Sequence, residues 1–246
     1  MTSPRFEQTI RTRYHELDCH GRLRPVMLLN YLQDCAGLHA RRLGISVIDL
    51  RKNGYTWVIS RIHLLVQRYP RADETVTITT WPSTRQGLFS CREFQLQQTD
   101  GTDLAKATTS WAVLNMATRR PVRLSTALPE YPLDPLRMIP DDFTSLPPFS
   151  ATAVHEHSFR VLFSDLDSNQ HVNNTVIAGW ALESLPETVL HGMLVELEIS
   201  YRAEVLYGDT VIARAAEAGD GVWLHQIVNA LDGRELALLR TRWSEK

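Results

Sequence analysis

The sequence predicts an α+β protein built as a tandem repeat, each copy a single main helix set against several antiparallel strands. Three observations predict it. Tyr14-His-Glu-Leu-Asp18, followed by a helical stretch, corresponds to Phe163-Ser-Asp-Leu-Asp167 followed by another, at an offset of 149. Glu74-Thr-Val then corresponds to Asp209-Thr-Val at an offset of 135, and Asp100-Gly, Leu104-Ala and Trp111 correspond to Asp232-Gly, Leu236-Ala and Trp243 at 132. Matches that keep their order mark two diverged copies of one unit. Between the copies, seven of the twelve prolines fall within residues 121 to 148, where no apolar periodicity persists, which is the signature of a linker. The expected organisation is a first repeat over 1–126, a linker over 127–152 and a second repeat over 153–246.

Each element has a local reason. Phe6 to Tyr14 alternates as a strand does, and Pro25 suits a first helical turn. Leu28, Leu29, Leu32, Cys35, Ala36 and Leu43 keep helical spacing until Gly44 stops the helix. Residues 56–67, 74–81, 88–98 and 104–115 are rich in β-branched and aromatic side chains, with Asp100-Gly101 as a hairpin turn between the last two. In the second copy a helix is expected from about Asn174 to Leu185, ended by Pro186, with strands near 193–203, 209–217, 222–230 and 235–243 and a second hairpin at Asp232-Gly233. Two such α+β units can join their sheets edge to edge around their helices.

Composition narrows the class. At 246 residues, 43% hydrophobic and 22% charged, the chain is neither fibrous nor wholly disordered. No apolar run approaches the roughly 20 residues of a membrane-spanning helix. The opening MTSPRFEQTI passes straight into a strand-like pattern, so no secretory or transit segment is visible and the mature chain is expected to start here. Three cysteines, Cys19, Cys35 and Cys91, are odd in number and lack metal-type pairing, which points to reduced thiols and a cytoplasmic location. A homo-oligomer is compatible with this composition.

The charge is uneven: residues 1–126 carry 18 Lys+Arg against 10 Asp+Glu, and residues 127–246 carry 8 against 18. Of the 26 basic residues 23 are arginine, the side chain that forks onto phosphate and carboxylate. An acidic partner for the first half follows, weighed against a merely solvated arginine-rich face. Nucleic acid is not expected, because zinc-finger spacing, RNP aromatics and a basic helix are all missing from the sequence.

The densest polar cluster runs from Ser164 to Asn174, between an expected strand and an expected helix, where sites commonly lie. Were the chain extended here, Asp167, Asn169 and His171 would share one face, while Asn173 or Asn174 would cap a helix whose first amides can bind a developing oxyanion. A polar turn plus a cap explains the asparagines but not the register of the other three. The mirror cluster His15-Glu-Leu-Asp-Cys-His20 puts Arg22 in the place of His171, so a decayed, structural copy is favoured there over a metal site or a Cys/His nucleophile. His155 and His157 share a strand face without an obvious third ligand, and no metal is expected. Gly-x-Ser-x-Gly, Gly-x-Gly-x-x-Gly and P-loop patterns are absent from the sequence, which removes the usual serine-hydrolase, dinucleotide and nucleotide-hydrolase readings.

Asp165 to Asn174, read Asp-Leu-Asp-x-Asn-Gln-His-Val-Asn-Asn, followed by Gly179-Trp180-x-Leu182-Glu183-Ser184-x-Pro186, resembles the signature of acyl-acyl-carrier-protein thioesterases. Asn30-Tyr-Leu-Gln33, Arg68-Tyr-Pro70, Thr80-Trp81, Ser110-Trp111 to Asn115 and Thr118-Arg-Arg120 are similar to that family as well. His-Val-Asn-Asn alone would equally suit small acyl-CoA thioesterases. The resemblance implies a double hotdog, each helix wrapped by an antiparallel sheet, with the acyl chain in the first repeat and the catalytic residues in the second. It implies hydrolysis of fatty acyl-acyl carrier protein without a cofactor, with an acyl-CoA thioesterase and a non-catalytic acyl-thioester-binding protein as alternatives. Catalytic roles carry over onto Asp167, Asn169 and His171, and the family's Tyr-Arg-x-Glu segment falls on Tyr201 to Glu204, making Glu204 the fourth. Many relatives place cysteine after that glutamate; here Val205 stands there, so no thiol attack can operate at that position. Water activated by a carboxylate, or attack by Asp167 itself, remains. Leu28, Leu29, Leu32 and Trp57 are the implied acyl-pocket residues, with Asn173 and Asn174 binding substrate at the second helix.

Overall fold

The computed structural model describes residues 3–150 and 154–244. The chain divides into two compact units, Met1–Phe143 and Thr144–Lys246.

In the first unit, β1 (Phe6–Arg11) leads through a turn at Tyr14–Glu16 to α1 (Pro25–Arg42) and a short α2 (Val47–Arg51), followed by β2 (Tyr55–Val66), β3 (Thr75–Gln86), β4 (Phe89–Gln98), β5 (Asp103–Asn115), β6 (Pro121–Val122) and α3 (Leu124–Ala127). Its strands pair antiparallel in the order β1-β3-β4-β5-β2, with β6 beside β5. Pro25 takes the first helical turn, where its missing N–H leaves no bond unmade, and α1 closes with Gly44 N donating to Arg41 O at 3.1 Å. The pairing register puts Val76, Ile78, Phe94, Leu96, Ala107, Ile62 and Leu64 on one sheet face, all buried. α1 packs on that face, with Cys35 Sγ 3.8 Å from Ile78 O. Burying each Leu, Ile or Phe there contributes about 1.5–3 kcal/mol. α2 lies outside the sequence expectation: five residues are too few for periodicity, and what makes it a helix is a local capping box in which Ser46 Oγ accepts from Asp49 N.

The proline-rich stretch has no regular structure beyond Ala127, yet as far as Phe143 it is a strap rather than a free linker. It covers the opposite face of the same sheet. Asp134 binds Arg5 at 2.7 Å, Leu136 O accepts from Trp81 Nε1 at 2.9 Å, Met138 N donates to Glu93 Oε2 at 3.0 Å, and Asp141 Oδ2 lies 2.8 Å from His63 Nδ1. The last linker residues and the first of the expected second repeat, 151–153, lie outside the described residues.

The second unit runs β7 (His155–Arg160), a turn at Phe163–Asp165, α4 (Asn174–Glu183), α5 (Glu187–Leu190), β8 (Met193–Tyr201), β9 (Thr210–Gly219), β10 (Val222–Asn229) and β11 (Glu235–Ser244). Its order is β8-β11-β10-β9-β7, again antiparallel. The offsets read from sequence recur in the elements: 149 relates the two turns and the two helix starts, 135 relates the starts of β3 and β9, and 132 those of β5 and β11. Both hairpins turn on a glycine at positive φ, 88° at Gly101 and 69° at Gly233, a region open to glycine without steric cost. No helix among the described residues is long and apolar enough to cross a membrane.

Two fully buried histidines make stability pH-dependent. Burial, aided by Arg92 and Arg42, lowers His39 to about 3, and burial lowers His225 to about 3 although a backbone bond with Ala181 pulls the other way. A depressed imidazole stays neutral in the folded state while the unfolded chain binds a proton near pH 6.5. Stability is therefore fully present above 6.5 and falls as pH drops. Between pH 6.5 and 4.5 we expect a loss of up to about 2.7 kcal/mol per pH unit, two protons' worth. His225→Gln should halve that slope in denaturant titrations; an unchanged slope would mean that His225 is charged when folded.

Candidate active site

The second unit holds the polar loop. An isolated bridge between Leu166 and Val172 pins its ends, and inside it Asp167 N donates to His171 O at 2.8 Å while Gln170 N donates to Asp167 O at 3.0 Å. Gln170 takes φ 64° to close the turn. Asp167 organises it. Oδ1 accepts from Asn169 N at 2.7 Å and His171 N at 3.4 Å, and Oδ2 accepts from Asn169 Nδ2 at 3.0 Å. The extended, period-2 arrangement expected from sequence is thus replaced by a tight turn wound around one carboxylate, because an aspartate bonding amides two and four residues on competes with extended backbone.

Asn173 then caps α4, its Oδ1 accepting from Thr175 N at 3.1 Å and Thr175 Oγ1 at 3.2 Å. Asn174 opens the helix, and its carbonyl accepts from Tyr201 OH at 2.9 Å. Burial raises the Tyr201 phenol far above its ordinary value, so it stays a donor. Val172 N donates to Val205 O at 3.0 Å. These two clamps bring the end of β8 to the loop, and Glu204 Oε2 lies 3.4 Å from His171 Nε2, with the two side chains 36% and 24% exposed. Sequence could not establish that reach across some 30 residues. Asp167, Asn169, His171 and Glu204 therefore sit together, open enough for a substrate to touch.

The first unit holds the same scaffold with other chemistry. Leu17 bridges Leu23 as Leu166 bridges Val172, and Leu23 N donates to Pro70 O as Val172 N does to Val205 O. Asp18 Oδ1 accepts from His20 N and Arg22 N, both at 2.9 Å. In place of a histidine facing a glutamate, Arg22 Nε binds Asp18 Oδ2 at 2.9 Å, and the residue before Pro70 is the buried Tyr69. A guanidinium held by its own aspartate and a buried phenol supply no general base.

Of the expected pocket residues, Leu28, Leu29 and Leu32 lie on the buried face of α1. Trp57 is elsewhere: its Nε1 donates to Ile45 O at 2.7 Å, its ring meets Trp111 edge-on at 6.5 Å, and it packs on Ile45, Leu50, Val113, Leu124, Leu128 and Tyr131. The structure does not gather it with the three leucines.

Comparison with known proteins bears on this geometry. Residues 3–130 match the acyl-ACP thioesterase N-terminal domain and residues 150–245 the acyl-ACP thioesterase C-terminal domain. A chloroplastic acyl-acyl-carrier-protein hydrolase of Cuphea viscosissima is 28% identical over 261 residues, covering 98% of this chain and 63% of its own length. The chain thus spans less than two thirds of that relative. A chloroplastic oleoyl-acyl carrier protein thioesterase of Coriandrum sativum is 28% identical over 285 residues, 98% of this chain and 77% of its own. In fold, the chain is similar to a 12:0-ACP thioesterase from Umbellularia californica, with a TM-score of 0.87, 21% identity and coverage of 100% and 99%. An acyl-ACP thioesterase from Bacteroides thetaiotaomicron gives 0.84, 23% and 98% of both chains. The fold is the double hotdog of those structures, and with both family domains matched in order over nearly its whole length, the chain belongs to the acyl-acyl-carrier-protein thioesterase family.

Proposed function

We propose that this protein hydrolyses the thioester of fatty acyl-acyl carrier protein, releasing free fatty acid and so terminating fatty acid synthesis. The observation that carries the reading is the loop wound around Asp167, which holds His171 against Glu204. Glu204 takes the proton of the attacking water, His171 orients that carboxylate, and Asn169, fixed by Asp167, positions the water or the carbonyl. Both oxygens of Asp167 already accept hydrogen bonds, which favours Asp167 as a positioning residue over Asp167 as nucleophile. The leaving thiolate hardly needs protonation, so no strong acid is required. The acyl chain is assigned to the first unit under α1, beside Leu28, Leu29 and Leu32, and the cytoplasmic placement rests on the three unpaired cysteines.

An acidic carrier has a surface to meet. Met116 N donates to Gly54 O at 2.9 Å, which brings the turns carrying Arg51-Lys52 and Arg119-Arg120 to one end of the first unit, and Lys52, Arg119 and Arg120 are exposed. Purified protein should release thiol from acyl-acyl carrier protein at a higher kcat/KM than from matched acyl-CoA. Added salt, or Arg119→Glu with Arg120→Glu, should lower kcat/KM for the carrier substrate far more than kcat, because steering acts on encounter and is screened over about 8 Å at physiological ionic strength. Turnover on acyl-CoA alone would move the protein to the CoA class, and turnover on neither would make it a binding protein.

A further inference from the structure

The first unit buries a cation that has no counter-ion among the described residues. Arg92, on β4, is 7% exposed and lies on the sheet face that α1 covers, in register with Thr109. Among the described residues its Nη1 donates to His39 Nδ1 at 3.0 Å and to Thr80 Oγ1 at 3.2 Å, and no carboxylate pairs with it. Glu93, the next residue, turns through the opposite face, where Arg137 Nε stands 2.9 Å away. The charge of Arg92 therefore faces hydroxyls, an imidazole and hydrocarbon.

His39 sharpens the imbalance. It is 0% exposed, stacked on Phe6 at 5.5 Å, and held neutral by burial and by the cations of Arg92 and Arg42. An arginine can only donate, so Nδ1 is the acceptor and Nε2 bears the proton. That Nε2 is buried and, among the described residues, has no hydrogen-bond partner. The pair thus offers an imidazole N–H with no acceptor to receive it, beside a guanidinium that no carboxylate neutralises, in a region where an unpaired charge or donor is costly. Phe94, Ile62 and Ala107 lie on the same sheet face, so an apolar chain would pack beside the donors.

We infer that Arg92 and His39 form a polar subsite for an acyl chain that carries a hydrogen-bond-accepting oxygen, a hydroxyl, oxo or carboxylate group, and that they favour such chains over plain alkyl chains of equal length. The inference rests on the proposed function in taking an acyl group as the ligand of the first unit. A charged donor discriminates strongly between a chain that brings an acceptor and one that leaves the donor unpaired.

Calorimetric titration of the purified protein with a straight-chain S-alkyl pantetheine thioether, which brings no carboxylate and cannot be hydrolysed, and with a series bearing one hydroxyl, oxo or terminal carboxylate group on the chain, tests it without any turnover. One position should bind about tenfold more tightly than the plain chain, and Arg92→Met should abolish that preference while leaving plain-chain binding within a few-fold. Arg92→Lys keeps the charge and should weaken the preference at least threefold, so the test survives should the methionine variant not fold. A parent that binds plain and oxygenated chains alike at every position, or a preference unchanged in both variants, overturns the subsite alone. A parent that binds none of the series overturns the subsite together with the acyl-binding reading beneath it, whereas hydrolysis of a plain acyl-carrier substrate is measured separately and speaks only to the latter.

Discussion

Glu204→Gln and His171→Ala should each lower kcat/KM for the thioester by about 10² or more, with kcat falling in parallel, because in the proposed mechanism each removes a group that acts when the water proton leaves and negative charge develops. The fold should survive. Both side chains are partly exposed, and the clamps that fix the loop run through the backbone of Val172, Val205 and Asn174, so far-ultraviolet dichroism and the thermal midpoint should stay near the parent's. Asn169→Ala should fall in the same range, since it strips from the turn the side-chain amide that Asp167 holds at 3.0 Å. The first unit supplies the control: Asp18→Asn, Cys19→Ser and His20→Ala alter a loop of the same shape in which Arg22 and Tyr69 stand where the second unit has His171 and Glu204, and activity should remain within a few-fold. Near-normal turnover in the Glu204 or His171 variants, or its loss in Cys19→Ser, would put the chemistry in the wrong half of the chain.

Sequence alone carries more of this molecule than its divergence between copies suggests, because the repeat writes the same local instructions twice. The residues at an offset of 149 include Leu17 and Leu166, Leu23 and Val172, Asp18 and Asp167, and the bridges and carboxylate turns they build are the same. What stays illegible depends on contacts far apart in sequence. Nothing in Pro129 to Phe143 repeats with a period of 2 or 3.6, since that strap is held by single side chains and carbonyls reaching Arg5, His63, Trp81 and Glu93 rather than by one apolar face. The loop conformation escaped for a related reason: alternation of Asp167, Asn169 and His171 is a strand signal only while the aspartate leaves the backbone alone, and here it does not. Tyr69 in the place of Glu204 is legible from the offset of 135, which also sets Pro70 against Val205, and in the structure those two carbonyls accept equivalent amides.

The strap makes the largest stability effect predictable. Glu93 is 0% exposed, and its carboxylate accepts from Ser83 Oγ at 2.7 Å, Thr108 Oγ1 at 3.0 Å and Met138 N at 3.0 Å, with Arg137 Nε at 2.9 Å. Burial pushes this carboxyl up, while Ser83, Met138, Arg137 and Thr108 pull it back down. Glu93→Ala leaves those donors facing a cavity and should cost about 3–5 kcal/mol, the usual penalty for breaking a buried, hydrogen-bonded pair. Glu93→Gln retains an acceptor of the same shape and should cost less than half as much. Its standing against the parent should improve as pH rises: a carboxyl whose folded value is raised gives its full contribution below about 4.5 and loses it as pH climbs through the folded value. Urea midpoints at constant slope measure both variants, and tryptic cleavage after Arg137 reports the strap directly, since Arg137 Nη2 also donates to Thr108 Oγ1 at 3.1 Å and Asp141 O at 3.0 Å. Faster cleavage should accompany the alanine variant. A loss under 1 kcal/mol with cleavage unchanged would mean that the strap is anchored by Trp81, His63 and Arg5 instead, with Glu93 a passenger in its own network.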